Sequence, residues 1–523
     1  VIGSPVSLPL RDGVELSGLL WSPSGTGPFP ALLMRQPYGA RIASTVVYAH
    51  PSWYAQQGYL VLVLDVRGRG DSGGEFSGFA TEATDGDDAL TWLKAHPLCN
   101  GRVGSYGFSY QGLTQLLGSD SSLQPDALAP AMCGLDEQLH WASAGGAHWW
   151  VLTLSWGLQL AAESCRRRGD QHAYQAIKDC LASAQQSRHG LALLKQHDPN
   201  NPVLHWLQSD PIQTEGWQRH QASPERLRQP MQLLEGWCDP YLRGGLDLWQ
   251  QSLECGGAPE LIIGPWSHLS WDRRVGSCDL GPEACGRVDQ WQLAFFDQHL
   301  RGQQRPKQPS CWAYDLLSHQ WSRQDPLLSP ELHWGLSSDG LAASRSDEGA
   351  LNAQQSGSGQ VVWVHDPWRP VPGRGGHLGL DAGLCDRADL DGRADVACFT
   401  TAALQEPLEL WGEFELLLTL SSDQNNFDLC GAISVLRSGQ SEVLQLCTGM
   451  LRLASSNGQE PLKRSLSFQP LLASLDVGDR LRLSLAGSAW PQISCNPNIT
   501  TLIADLSSSR LQLKAMAISA AEH

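Results

Sequence analysis

The sequence predicts an α/β sheet domain that is interrupted by a helical insert and followed by a β-sandwich. Three observations carry this. Up to about residue 300, apolar runs of strand length alternate with helical patterns, as in a sheet covered by helices. Between Cys133 and Met231 lies far more chain than a crossover needs, and its composition is helical. Beyond Gly302 the helical periods give way to short strands separated by Gly, Ser, Asn and Asp. With 523 residues, a prior of roughly 150 residues per domain points to the same three units. The expected division is 1–133 with 229–304 for the sheet domain, 134–228 for the insert and 305–523 for the β-sandwich.

The elements follow in order. Val14–Trp21 alternates in part after the turn Arg11-Asp12-Gly13, which suggests an early antiparallel strand. Pro30–Arg35 and Tyr59–Val66 are continuous apolar runs, the texture of parallel strands buried on both faces. Thr84–Ala95 is acidic early and basic late, as a helix dipole favours. A strand beginning at Gly101 leads into Gly107-Phe108-Ser109-Tyr110-Gln111-Gly112, and Gly112–Leu117 continues as an apolar helix. Ser109 would then sit on a strand-to-helix turn with its hydroxyl pushed out of the sheet, the geometry of a nucleophile elbow. The second glycine of G-x-S-x-G falls one place late, at Gly112, with Gln111 in its usual position. Leu128–Cys133 reads as the next strand.

Gly68-Arg69-Gly70-Asp71-Ser72-Gly73 fits the dinucleotide pattern G-x-G-x-x-G after a strand, but Gly74–Phe79 is no helix start. A loop at the rim of the site is the better reading.

A serine hydroxyl needs an imidazole base, and the imidazole needs a carboxylate to fix its tautomer. In a serine-elbow sheet these follow in the order Ser, acid, His after successive strands. Met231–Glu235 is a strand run that leads to Asp239, and Leu261–Ile263 leads in the same way to His268. An Asp before a helix is commonly only an N-cap, and a lone loop histidine is usually incidental. Here the three residues stand after separate strands in the required order.

These motifs are where a resemblance emerges. Gly107–Gly112, Gly236-Trp237-Cys238-Asp239 and Gly264-Pro265-Trp266-Ser267-His268 together resemble the cocaine-esterase-like α/β-hydrolases, relatives of the X-Pro dipeptidyl-peptidases and the α-amino-acid ester hydrolases. Their elbow is G-x-S-Y-x-G, which accounts for the late glycine. Arg11-Asp12-Gly13-Val14, Gln36-Pro37-Tyr38 and Arg67-Gly68-Arg69-Gly70 look like that family too. The resemblance implies that the Tyr38 phenol and the Tyr110 backbone N–H form the oxyanion hole, and that the carboxyl-terminal sandwich is a jelly roll. It implies substrate-binding roles for Trp141 and Trp156 of the helical cap; Trp266, beside His268, is taken with them. The amino-acid ester relatives carry acidic residues just after the triad aspartate, where this chain has Tyr241 and Leu242.

Composition narrows the partners. The 54 acidic against 37 basic residues give net charge -17, which argues against nucleic acid and anionic membrane surfaces. The 14 cysteines are dispersed and read as buried thiols of a reducing compartment. No apolar run reaches the roughly 18 residues of a membrane span, and the amino terminus lacks an export pattern, so a cytoplasmic location is expected. No cofactor and no metal ion are expected. The reading is a serine hydrolase of small-molecule carboxylic esters, with amide or X-Pro peptide cleavage as runner-up. Its rivals are a catalytically silent binding protein and an oxidoreductase using the Gly68 loop. Assembly into homo-oligomers is left open.

Overall fold

A computed structural model describes residues 3–41, 47–306, 310–328, 332–454 and 460–516. Ten strands form the first sheet: β1 (Ser4–Pro9), β2 (Glu15–Trp21), β3 (Phe29–Gln36), β4 (Leu60–Asp65), β5 (Cys99–Phe108), β6 (Ala127–Ala131), β7 (Gln232–Cys238), β8 (Glu260–Ser267), β9 (Cys311–Tyr314) and β10 (Trp321–Arg323). Their order is β1-β2-β4-β3-β5-β6-β7-β8-β9-β10. The strands from β4 through β9 in that order run parallel, and antiparallel partners close both edges. All the parallel strands therefore end on one side.

The helices that cover the sheet are α1 (Pro51–Gln56), α2 (Glu82–Lys94), α3 (Tyr110–Leu116), α9 (Leu242–Glu254) and α10 (Val288–Arg301). Strand periodicity explains why β4 is apolar throughout. Leu60, Leu62 and Leu64 pack with Leu90 and Leu93 of α2 on one face. Val61 and Val63 join Tyr54 of α1 and Tyr106 in the core of the opposite face.

Between β6 and β7 the chain leaves the sheet and builds a cap of helices α4 (Trp150–Arg168), α5 (Gln171–Ala182), α6 (Gln186–His197), α7 (Pro202–Gln208) and α8 (Pro224–Leu227). Helix α4 ends on Gly169 in the left-handed conformation, φ 76°, which a residue without Cβ adopts cheaply. No helix among the described residues is long and apolar enough to cross a membrane.

The carboxyl-terminal part is a β-sandwich of mostly antiparallel strands. Ser358–His365 shows its patterning, with Val361, Trp363 and His365 buried and the residues between them exposed. Two details depart from the sequence reading. The sheet domain does not end at 304, because β9 pairs in parallel with β8 (Leu261 with Cys311) and brings β10 with it. An apolar strand edge at β8 is closed by the next apolar segment in the chain. The region beyond Gly302, read as short strands, contains one of 15 residues, Leu408–Ser422. Gly412 at φ 138° lets that strand pass from Leu471–Leu475 to Leu462–Ser467 as partner. All 14 cysteines are free and only Cys285 is exposed.

Candidate active site

Ser109 follows β5 directly and adopts φ 59°, ψ -128°, a backbone conformation that non-glycine residues seldom hold. Surrounding contacts enforce it. The Ser109 amide donates to Ala131 O at 2.9 Å, tying the turn to the end of β6. A Cβ on Gly107 would lie 2.4 Å from Gln111 Cβ. One on Gly112 would lie 2.8 Å from both Ala131 O and Cys133 Sγ. The late glycine is thus the point where α3 crosses the end of β6 most closely. Gln111 does something a glycine could not: its Oε1 accepts the Phe108 amide at 3.3 Å and braces the turn from within.

Asp239 and His268 follow β7 and β8, neighbours in the sheet. The fully buried Asp239 Oδ2 lies 2.6 Å from His268 Nδ1, and its Oδ1 accepts the Tyr241 amide at 2.8 Å. This carboxylate fixes which imidazole nitrogen faces it, leaving Nε2 for the site. The imidazole is held between Phe108 and Tyr241, with ring centroids 5.2 and 4.8 Å away. From the β-sandwich, Gln469 Nε2 donates to Asp239 O at 2.8 Å.

Tyr38 lies just beyond β3. Its amide donates to Gln36 Oε1 at 3.2 Å, and Gln36 Nε2 donates to Asp65 Oδ1 at 3.0 Å. Burial pushes the Tyr38 phenol up to about 12, so at neutral pH it keeps its proton. Tyr110 is the first residue of α3, so its amide has no acceptor inside the helix. Its side chain is locked: the hydroxyl lies 2.7 Å from Glu82 Oε1 and 2.8 Å from Gly78 O, and the ring packs on Phe79.

The aromatic residues separate into two groups. Trp141 packs against Tyr241 at 4.7 Å and Trp156 at 6.0 Å, with Phe79 and Trp206 completing the cluster beside the histidine. Trp156 Nε1 donates to the Tyr38 hydroxyl at 3.1 Å. Trp266, expected beside the substrate, does not join this cluster. Its indole is fully enclosed, donates to Ala284 O at 2.8 Å and stacks on Trp271, which stands between it and Phe108.

Several residues of the site escaped the sequence reading. Gln469 lies 230 positions from Asp239, and no local pattern marks it. Phe79 closes the glycine-rich loop after β4, where an apolar residue at a loop end was the available signal. Glu235 on β7 is fully buried, and among the described residues neither carboxylate oxygen has a hydrogen-bond partner. Burial, with the Asp239 charge nearby, pushes it well above the usual carboxylate range. A cavity of about 740 Å³ opens between the cap and the β-sandwich. Its lining includes Trp149 and Pro240 but none of Ser109, Asp239 or His268.

Residues 12–270 match the model of the X-Pro dipeptidyl-peptidase (S15 family), and residues 298–523 match the X-Pro dipeptidyl-peptidase C-terminal non-catalytic domain. The chain belongs to the cocaine-esterase-like and X-Pro dipeptidyl-peptidase family of α/β-hydrolases. Within this family it is 27% identical over 543 residues to a cocaine esterase of Rhodococcus, covering 96% of this chain and 93% of that one. Among solved structures, an α-amino acid ester hydrolase shares the fold with a TM-score of 0.73 at 18% identity, over 99% of this chain and 96% of the other. An aminopeptidase from a marine sediment Thaumarchaeota archaeon does so with 0.71 at 18% identity, over 98% and 96%. As a member of this family the chain is a serine hydrolase, built as an α/β-hydrolase domain with a helical cap and a carboxyl-terminal jelly roll.

Proposed function

We propose that this chain cleaves carboxylic esters through an acyl-enzyme intermediate, with Ser109 as nucleophile, His268 as base and Asp239 as the group that orients the base. The observation that carries the reading is the 2.6 Å contact of Asp239 Oδ2 with His268 Nδ1, on the side of the sheet where the parallel strands end and the strained Ser109 turn stands. In the first step Ser109 Oγ bonds to the acyl carbon as His268 Nε2 takes its proton, and the alcohol leaves with that proton. Water repeats the sequence to release the acid. The protonated Tyr38 phenol and the unpartnered helix-start amide of Tyr110 supply two donors for the oxyanion. Trp141 and Trp156 border the acyl side. Residues 1–133 and 229–304, with β9 and β10 added, carry this chemistry beneath the cap of residues 134–228, in a cytoplasmic enzyme that uses no cofactor.

Ester cleavage is favoured over release of X-Pro dipeptides because the positions after Asp239 hold Tyr241 and Leu242, both buried and neither acidic. They offer no carboxylate to a free α-amine. The relatives described by name as a cocaine esterase and a putative serine esterase of Mycobacterium bovis fit this preference.

A fluorophosphonate probe tests the nucleophile. It should label the folded chain at Ser109 and leave Ser109→Ala unlabelled. An unlabelled wild-type chain would overturn the reading in favour of a silent binding protein. A panel of p-nitrophenyl esters, anilides and X-Pro anilides should show turnover of the esters first.

A further inference from the structure

The phenol of Tyr38 has a defined set of neighbours. Its oxygen accepts the Trp156 indole N–H at 3.1 Å, and among the described residues no side chain or carbonyl accepts its proton. A hydroxyl has one proton and two lone pairs. Once the indole occupies a lone pair, the O–H bond is directed away from the cap. The same helix is fixed to the Tyr38 turn at a second place. Arg69, 1% exposed, donates from Nε to Pro37 O at 3.1 Å and from Nη1 to Leu160 O at 3.0 Å, with Ser164 Oγ at 3.4 Å. Trp156, Leu160 and Ser164 are spaced by four and share one face of α4.

The glycine pattern around residue 69 acquires a purpose here. Gly68 and Gly70 have φ of 70° and 53°. A Cβ on Gly68 would sit 2.1 Å from Phe76 N, and one on Gly70 would sit 2.0 Å from Asp65 Oδ2. Only glycine permits the tight loop that turns Arg69 inward between Pro37 and α4.

We propose that Trp156 is a positioning residue for the oxyanion-hole phenol: its indole N–H sets the direction of the Tyr38 proton, and Arg69 clamps the cap helix so that this contact persists. The proposal rests on the reading of Tyr38 as an oxyanion donor. It makes α4 part of the catalytic apparatus, in addition to any wall that its tryptophan gives the acyl pocket.

Trp156→Phe removes the N–H and keeps an aromatic ring. With p-nitrophenyl acetate, whose acyl group is too small to fill an aromatic pocket, kcat should fall about tenfold, the loss of one oriented hydrogen bond, while KM stays within about twofold. In a Tyr38→Phe background the same substitution should change kcat by less than about twofold, because the group it positions is gone. A change confined to KM, or an undiminished tenfold loss in that background, would overturn the proposal. A second measurement does not depend on activity. In ¹⁵N-tryptophan-labelled protein, the indole resonance that disappears in Trp156→Phe should shift, and exchange faster with solvent, in Tyr38→Phe. An unmoved indole resonance in an active chain strikes the positioning contact alone. A chain that turns over no ester but shows the indole shift strikes the hydrolase reading, and with it the catalytic meaning of the contact.

Discussion

The side-chain amide of Gln469, in the jelly roll, donates to the backbone carbonyl of Asp239 at 2.8 Å, so the carboxyl-terminal domain holds the loop that carries Asp239. Gln469 is 2% exposed, and its removal leaves a buried carbonyl without this donor. Gln469→Ala should destabilise the protein by about 1 to 3 kcal/mol in urea unfolding. It should also lower kcat by up to about tenfold, as small displacements of the acid propagate to the imidazole. Unchanged stability and unchanged kcat together would show that the contact has no role in holding the loop.

Tyr38→Phe keeps the ring and removes the donor. Turnover of p-nitrophenyl esters should fall by about two to three decades in kcat, the usual range for one lost oxyanion donor. Circular dichroism should show the fold retained. Wild-type activity in the variant would transfer the oxyanion role to other groups.

Gly112→Ala tests the late glycine of the elbow. Its Cβ would stand 2.8 Å from Ala131 O, a backbone atom that cannot swing aside. Either α3 or the end of β6 must shift, at a cost of about 1 to 3 kcal/mol. The urea midpoint should fall and ester turnover with it. Native stability in this variant would contradict the close crossing.

Glu235 gives a pH signature. Burial raises its folded-state pKa above the unfolded value. The native state therefore holds a proton that the unfolded chain releases above about pH 4.3, and native stability declines as pH rises from there toward the folded pKa. Glu235→Gln removes this titration. Its stability advantage over wild type should grow between about pH 5 and pH 7.5, with a slope of up to about 1.4 kcal/mol per pH unit for one proton. Urea midpoints of both proteins at the two pH values provide the check. A constant difference would mean that Glu235 is ionised in the folded state.

Much of the architecture was legible because it is written in short-range patterns. Continuous apolar runs marked β3 and β4, since a parallel strand covered on both faces has no polar side. The order of Ser109, Asp239 and His268 after separate strands was readable, since each follows a strand within a few residues. The surroundings of Trp266 were not readable in the same way. It stands two positions from His268, but the β8 register shifts between Gly264 and Ser267 and His268 lies beyond the strand, so strand alternation does not relate the two side chains.

The sequence by itself determined that this is an α/β-hydrolase with an inserted cap and a carboxyl-terminal sandwich, and which serine, aspartate and histidine to examine. Local periodicity, chain order and the resemblance of its motifs to a known family carry that information without any fold. Only the tertiary structure decided that Gln469 supports Asp239, that Arg69 joins the Tyr38 turn to α4, and that Trp156 faces a phenol oxygen. Each of these contacts joins segments distant in the chain, so it exists only once the sheet, cap and sandwich have packed.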